Sequence, residues 1–214
     1  MFSRRTDVGG QAGSGADGLL PRPSGPRSDH ANQAVVAATQ ELLREGGYPA
    51  ATVDAIAHRS GVSKATIYRH WPSRTAVAST AFGTMMTDAL PLPDTGSSAG
   101  DLTEQVQRVS AFYASDLGLV FAQLLAACVD DESGALYFHE YFLAGRRAAI
   151  TTLWQRVLDR GDGDPTIPIN DVIDILFGPL IFRRLAGHYD LTDAHAKSFA
   201  ATALRALLRS TAGP

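Results

Sequence analysis

The chain has a single cysteine among its 214 residues, Cys128. One thiol excludes an internal disulfide and any site built from several thiolates. Cys128 sits in LLAACV and reads as a small hydrophobe. No apolar run approaches the ~20 residues that span a bilayer. The N-terminal stretch, MFSRRTDVGGQAGSGADGLLPRPSGPR, lacks the continuous apolar core of a signal peptide. A cytoplasmic protein is expected, with no membrane partner. Alternating apolar and polar residues, the mark of a strand, are also missing. There is no Ser/His/Asp set, phosphate loop or cluster of metal ligands in plausible context. HEYF, residues 139–142, lacks the second histidine of a zinc helix, since Leu143 stands there. An enzyme, a cofactor and a metal are therefore not expected.

A further lack is local. GVSKATIYRHWPSR, residues 61–74, contains Lys64, Arg69, His70 and Arg74 but no Asp or Glu. Yet the chain as a whole is acidic, with 19 Lys+Arg against 22 Asp+Glu. Residues 1–75 hold nine basic and six acidic side chains, and residues 76–214 hold ten and sixteen. Positive charge gathered on one face lets an acidic protein bind nucleic acid.

What is present is helical periodicity. Residues 1–28 are rich in Gly, Ser, Pro and Arg and read as a disordered, solvated tail. GSGADG, residues 13–18, fits a dinucleotide fingerprint only by chance, since no strand precedes it. From a cap at Ser28 or Asp29 a helix runs to Gly46 and Gly47. Thr52 caps a second helix, VDAIAHRS, and Ser63 a third, KATIYRH, with Gly61 between them. Pro72 and Ser73 open a fourth. PLPDTGSSAG, residues 91–100, reads as a loop. Long helical patterns follow, including one over ESGALYFHEYFLAGRRAAITTLWQRVLDRG. Two final helices follow the GDGDPTIP linker, the first expected to kink at Pro179. The fold class is all-α, with a three-helix unit over residues 29–75 and a helical body over 76–214.

Residues 52–70 have the layout of a helix-turn-helix. Val53, Ile56, Val62, Ile67 and Trp71 hold the hairpin. Lys64, Ala65, Thr66, Tyr68 and Arg69 face outward, and a helix of this kind fits the DNA major groove. Lys64 can donate to guanine or to a phosphate, and Thr66 can meet a base. Tyr68 and His70 can donate to phosphate oxygens. Thr52 lies at a helix N-terminus, where a phosphate is attracted. Arg74, in the first turn of the fourth helix, opposes that helix's dipole, and a nearby phosphate would explain it. His58 reads as a solvent residue.

TVDAIAHRSGVSKATIYRHWPSRTAVA, residues 52–78, resembles the DNA-binding signature of TetR-family transcriptional regulators. The likeness covers Asp29 to Thr75. It implies that the first three helices bind double-stranded DNA. Thr52, Tyr68, His70 and Arg74 would then meet phosphates, and Ser63, Lys64, Ala65 and Thr66 approach bases. Thr75 and Ala76 depart from the pattern, since acidic residues often stand there in the family. DVIDILFGPLIFRRLAGHYDLT, residues 171–192, is similar to the last-but-one helix of one subgroup. The resemblance also implies a homodimer and a pocket for a small apolar or aromatic effector among the C-terminal helices. Tyr113, Phe121, Phe138, His139, Tyr141 and Phe142 are the candidate lining. Leu176, Leu180, Phe199, Ala203, Leu204 and Leu207 are the candidate dimer contacts. The function expected is a ligand-responsive repressor on a palindromic operator. A DNA-binding regulator without an effector, and a helical interaction module, stand as alternatives.

Overall fold

In the computed structural model, residues 26–86 and 92–209 are described. The N-terminal tail, with GSGADG and Arg4, Arg5 and Arg22, lies almost wholly outside them. Among the described residues all regular structure is helical, apart from one antiparallel bridge between Gly163 and Leu208.

Helix α1 spans Pro26–Ala50 and breaks at Gly46 and Gly47, where Gly47 takes φ +67°. The glycine pair ends the regular helix as its sequence predicts. The start is earlier than Ser28, and a proline in the first turn gives up no hydrogen bond. Helices α2 (Val53–Ser60) and α3 (Lys64–His70) meet at Gly61, which adopts φ +70°. Residues Val35, Leu42, Leu43, Ile56, Ile67 and Trp71 bury themselves together and fix the three helices.

Helix α4 (Arg74–Met85) is the shaft of the molecule. Every residue from Thr75 to Gly83 is buried. A helix buried on every side belongs in the middle of a core. It packs against α1, α6 (Asp116–Ala127), α7 (Glu132–Phe138) and the segment after α7. Two contacts there are too close for a side chain. A Cβ on Gly83 would lie 2.3 Å from the Tyr141 carbonyl oxygen, and one on Gly134 would lie 2.4 Å from Thr75 Cβ.

The long helix expected over residues 132–161 is interrupted. His139–Leu143 forms a π-helical turn between α7 and α8 (Ala144–Asp159). Such turns insert one residue into a helix and recur at functional positions. Helix α5 (Ser98–Ala114) carries a buried carboxylate, Asp101, held by Arg160 at 2.7 Å and by Thr95. Helices α9 (Ile169–Ala186) and α10 (Asp193–Leu207) close the body, with α10 against α5. Helix α9 runs unbroken through Pro179. The preceding residue is Gly178, whose missing Cβ removes part of the clash that normally bars a helix before proline. No single helix among the described residues is long and apolar enough to cross a membrane. The α5–α6 pair qualifies only jointly and is bent by 81°.

Candidate nucleic-acid interface

The outward face of α3 is set by its caps. Thr52 Oγ1 accepts from the Ala55 amide at 3.1 Å, and Ser63 Oγ accepts from the Thr66 amide at 3.2 Å. Ser63 and Thr66 also share a hydroxyl hydrogen bond of 3.0 Å. Each cap satisfies a backbone donor that the first helical turn leaves open. Ile67 is buried in the core and Trp71 Nε1 donates to Thr80 Oγ1 at 3.0 Å. That pins α3 to α4 at its C-terminal end. Ser63, Lys64, Ala65, Tyr68 and Arg69 are left exposed, with Tyr68 half accessible at 52%.

Two cations near this face have protein partners. Arg59 pairs with Glu45 at 2.7 Å and with Glu41, so it ties α2 to α1. Lys64 pairs with Asp54 at the start of α2. Both groups of the second pair are well exposed, and such pairs contribute about 0–1 kcal/mol. A competing anion would therefore displace Asp54 at little cost.

His70 and Arg74 are placed differently from the other candidates. His70 is half-buried at the end of α3, lining a cleft against α1 and α7. Arg74 turns inward. Its Nε donates to the Ala51 carbonyl at 3.0 Å, Nη2 donates to the Tyr48 carbonyl, and the guanidinium lies 4.0 Å from the Tyr48 ring centroid. These carbonyls follow the break in α1, where no continuing helix satisfies them. That of Tyr48 also accepts a turn bond from the Ala51 amide at 3.2 Å. These carbonyls give the arginine in the first turn of α4 partners within its own chain.

Arg74 belongs to a joint between the three-helix unit and the body. Gln123 of α6 accepts from the Tyr48 amide at 2.8 Å, and the Tyr48 hydroxyl bonds Thr75 Oγ1 at 2.9 Å. Asp131 caps α7, accepting from the Gly134 amide at 2.8 Å and Ser133 at 2.7 Å. Tyr137 donates its hydroxyl proton to the His70 carbonyl at 3.1 Å. None of Tyr48, Gln123, Asp131 or Tyr137 stands out in the sequence as a site residue. The visible signal is GGY at residues 46–48, a helix stop followed by an aromatic.

Burial pushes the Asp131 carboxyl up, but hydrogen bonds from Ser73, Gly134, Ser133 and Thr75 outweigh it and hold it down to about 2. A carboxyl lowered on folding stabilises the fold above its ordinary pKa and loses that effect as pH falls through the folded value. Thermal stability should therefore drop as pH falls from about 4 to about 2. Asp131→Asn should flatten that part of a melting-temperature profile.

Comparison with known proteins bears on what the face meets. Residues 35–80 match the model of the bacterial regulatory proteins of the tetR family, and residues 92–203 match the tetracyclin repressor-like C-terminal domain. The chain is 33% identical to the uncharacterized HTH-type transcriptional regulator YdeS of Bacillus subtilis, over 87% of this chain and 94% of that protein. The chain belongs to the TetR family of transcriptional regulators. It is thus a DNA-binding regulator of transcription. Among solved structures, the TetR family regulator SCO0332 is 28% identical with a TM-score of 0.70, covering 82% of this chain and 97% of that one. The flavonoid-responsive regulator FrrA shares the fold, with a TM-score of 0.60 at 21% identity, over 86% of this chain and 100% of that one.

In this TetR-family chain the candidate effector residues do not gather round one space. Tyr113, Phe121, Phe138 and Phe142 are buried and pack against one another and against Phe82, with ring centroids 4.9–6.5 Å apart. Burial pushes the Tyr113 phenol well above its usual range. His139 and Tyr141 lie on the surface, and Tyr141 lines the same cleft as His70.

The candidate dimer residues need a correction. Leu176, Leu180, Ala203, Leu204 and Leu207 are buried against their own chain, and only Phe199 is partly open. Their helical spacing marks the face turned toward α5. The exposed face of α9 instead carries Phe182 and Leu185, 63% and 50% accessible. Ile175 and Pro179 precede them at helical spacing and are partly open. Tyr189 is exposed just beyond the helix.

Proposed function

We propose that this regulator is a dimeric repressor that reads a palindromic operator and releases it when a small molecule binds. The observation that carries the reading is the acid-free, capped, outward face of α3. Ser63, Lys64, Ala65 and Thr66 stand at its N-terminal end, where base edges are met. Thr52, Tyr68 and Arg69 flank them toward the backbone.

The roles separate by experiment. Tyr68→Phe should weaken binding to all duplexes alike, because a phosphate contact carries no sequence. Lys64→Ala should cost about 1–3 kcal/mol and relax preference at one position per half-site. Fluorescence anisotropy against duplexes varied one base pair at a time reads both. If Lys64→Ala changes only the salt dependence, Lys64 grips a phosphate.

The exposed α9 face of Phe182 and Leu185 supports a dimer, since a helix stripe of this kind buries itself against its twofold mate. Phe182→Glu with Leu185→Glu should give a monomer by sedimentation. Operator affinity should fall on the order of 100-fold or more as the second half-site is lost.

The effector reading is supported by the flavonoid-responsive neighbour of the same fold and by the polar joint between the body and α3. Differential affinity of ~1–3 kcal/mol between two states changes DNA binding about 5- to 150-fold. A thermal-shift screen of small apolar and aromatic compounds tests it, because a ligand bound only to the folded state raises the melting temperature. A library that shifts nothing would favour a regulator without an effector.

A further inference from the structure

The cleft beside His70 has a volume of about 390 Å³, in the range of small-molecule sites, roughly 300–1,000 Å³. It lies between α1, the end of α3, α4 and the π-helical turn. Trp71 and Thr80 line it at the α3–α4 side. Tyr137 and Tyr141 stand on the opposite side with rings nearly parallel, 19° apart at 5.9 Å. From α1 come Val36, Ala37 and the amides of Asn32, Gln33 and Gln40. Among the described residues, no Asp, Glu, Lys or Arg lines it.

We infer that this cleft binds a small, neutral, planar aromatic molecule whose presence is felt at the recognition helix. The inference rests on the effector-responsive reading above and gives that effector a place. Flat aromatic walls favour a planar partner. The amides of Asn32 and Gln33 can supply both donors and acceptors for its polar edge, whereas the Thr80, Thr84 and Tyr137 hydroxyls already donate to backbone carbonyls. Apart from His70, no side chain that can carry charge lines the cleft, so a charged ligand finds little to offset its desolvation there. In the core cluster the rings pack against one another, with centroids 5.1–5.6 Å apart.

The link to DNA is short. Tyr137 lines the cleft and donates to the backbone carbonyl of His70, the last residue of α3. Tyr141 sits in the π turn, whose extra residue can be taken up by a change to α-helical register. That change rotates Tyr141 about the helix, while Gly83 holds the backbone of the same turn against α4. A ligand that packs on the tyrosines biases the turn, and with it the hydrogen bond to α3.

The test uses the full chain and the neutral fluorophore N-phenyl-1-naphthylamine. Trp71 and Trp154 are the two tryptophans, so Trp154→Phe leaves Trp71 as the sole donor, with the wild type measured in parallel. Saturable binding with quenching of Trp71 is expected. Ala37→Phe, at an exposed position on the cleft wall, should weaken probe binding at least roughly tenfold without lowering the melting temperature. Probe binding should weaken duplex binding by the wild type but not by Tyr137→Phe. Binding that spares Trp71 fluorescence, or that ignores Ala37→Phe, moves the site elsewhere and overturns the cleft. So does no saturable binding. A Tyr137→Phe protein that still couples probe to duplex overturns the link to α3. In each of these cases the thermal-shift screen decides the effector reading separately.

Discussion

Arg74→Ala should lower the melting temperature by about 5–15 °C while leaving unchanged the salt dependence of duplex binding by the folded protein. The guanidinium satisfies the carbonyls of Tyr48 and Ala51 and covers the Tyr48 ring. Hydrogen bonds to a charged group contribute about 1.5–3 kcal/mol each, and their loss leaves the Ala51 carbonyl short of a partner while that of Tyr48 keeps its turn bond. A net loss of about 2–4 kcal/mol, at about 2–4 °C per kcal/mol for a chain of this size, gives the drop. Arg74→Lys should recover little, because an ammonium cannot reach two carbonyls in a fixed fork. A phosphate contact alone would behave otherwise. The melting temperature would hold, and the slope of log affinity against log salt would fall by about 0.9. Differential scanning calorimetry with a salt titration separates the two roles.

Gly83→Ala should destabilise the protein by about 1–3 kcal/mol, although alanine is the better helix former. Propensity favours the change by about 1 kcal/mol. Against it, the new Cβ would stand 2.3 Å from the Tyr141 carbonyl oxygen and 2.7 Å from its carbon. These are backbone atoms, which cannot rotate away, so α4 and the π turn must separate. Overpacking of this kind costs about 1–3 kcal/mol and at times more. Gly145 is the control. It lies in α8 with nothing within 4 Å of the place a methyl group would take, so Gly145→Ala should raise stability by about 0.5–1 kcal/mol. Opposite signs from one substitution type, read by chemical denaturation, locate the effect in the α4 contact. Equal signs would mean that the contact yields freely.

The hairpin was legible because its logic is local. Thr52, Ser63 and Gly61 carry cap and turn chemistry within a few residues, and Ile67 and Trp71 show their inward face by spacing. The same spacing misleads in α9 and α10. Leu176, Leu180 and Leu207 form an apolar stripe, but a stripe does not say whether its partner is α5 or a second chain. Burial decides that, and it turns Phe182 and Leu185 outward instead. Arg74 shows a related limit. Its dipole conflict was visible, but the carbonyls that resolve it come from residues 23 and 26 positions away. The π turn was hidden because HEYFL has ordinary helical composition. It is imposed by packing between α7, α8 and α4, where Gly83 admits the Tyr141 backbone. In the joint, the bonds of Gln123 to Tyr48 and of Tyr137 to His70 are long-range, and no short motif announces them.

Selection of bound duplexes from a random pool, followed by sequencing, tests the central claim most directly. The account predicts an inverted repeat whose half-site centres lie about 34–36 Å apart, one helical turn or a multiple of it. An enriched sequence without twofold symmetry, or no enrichment at low salt, would contradict it.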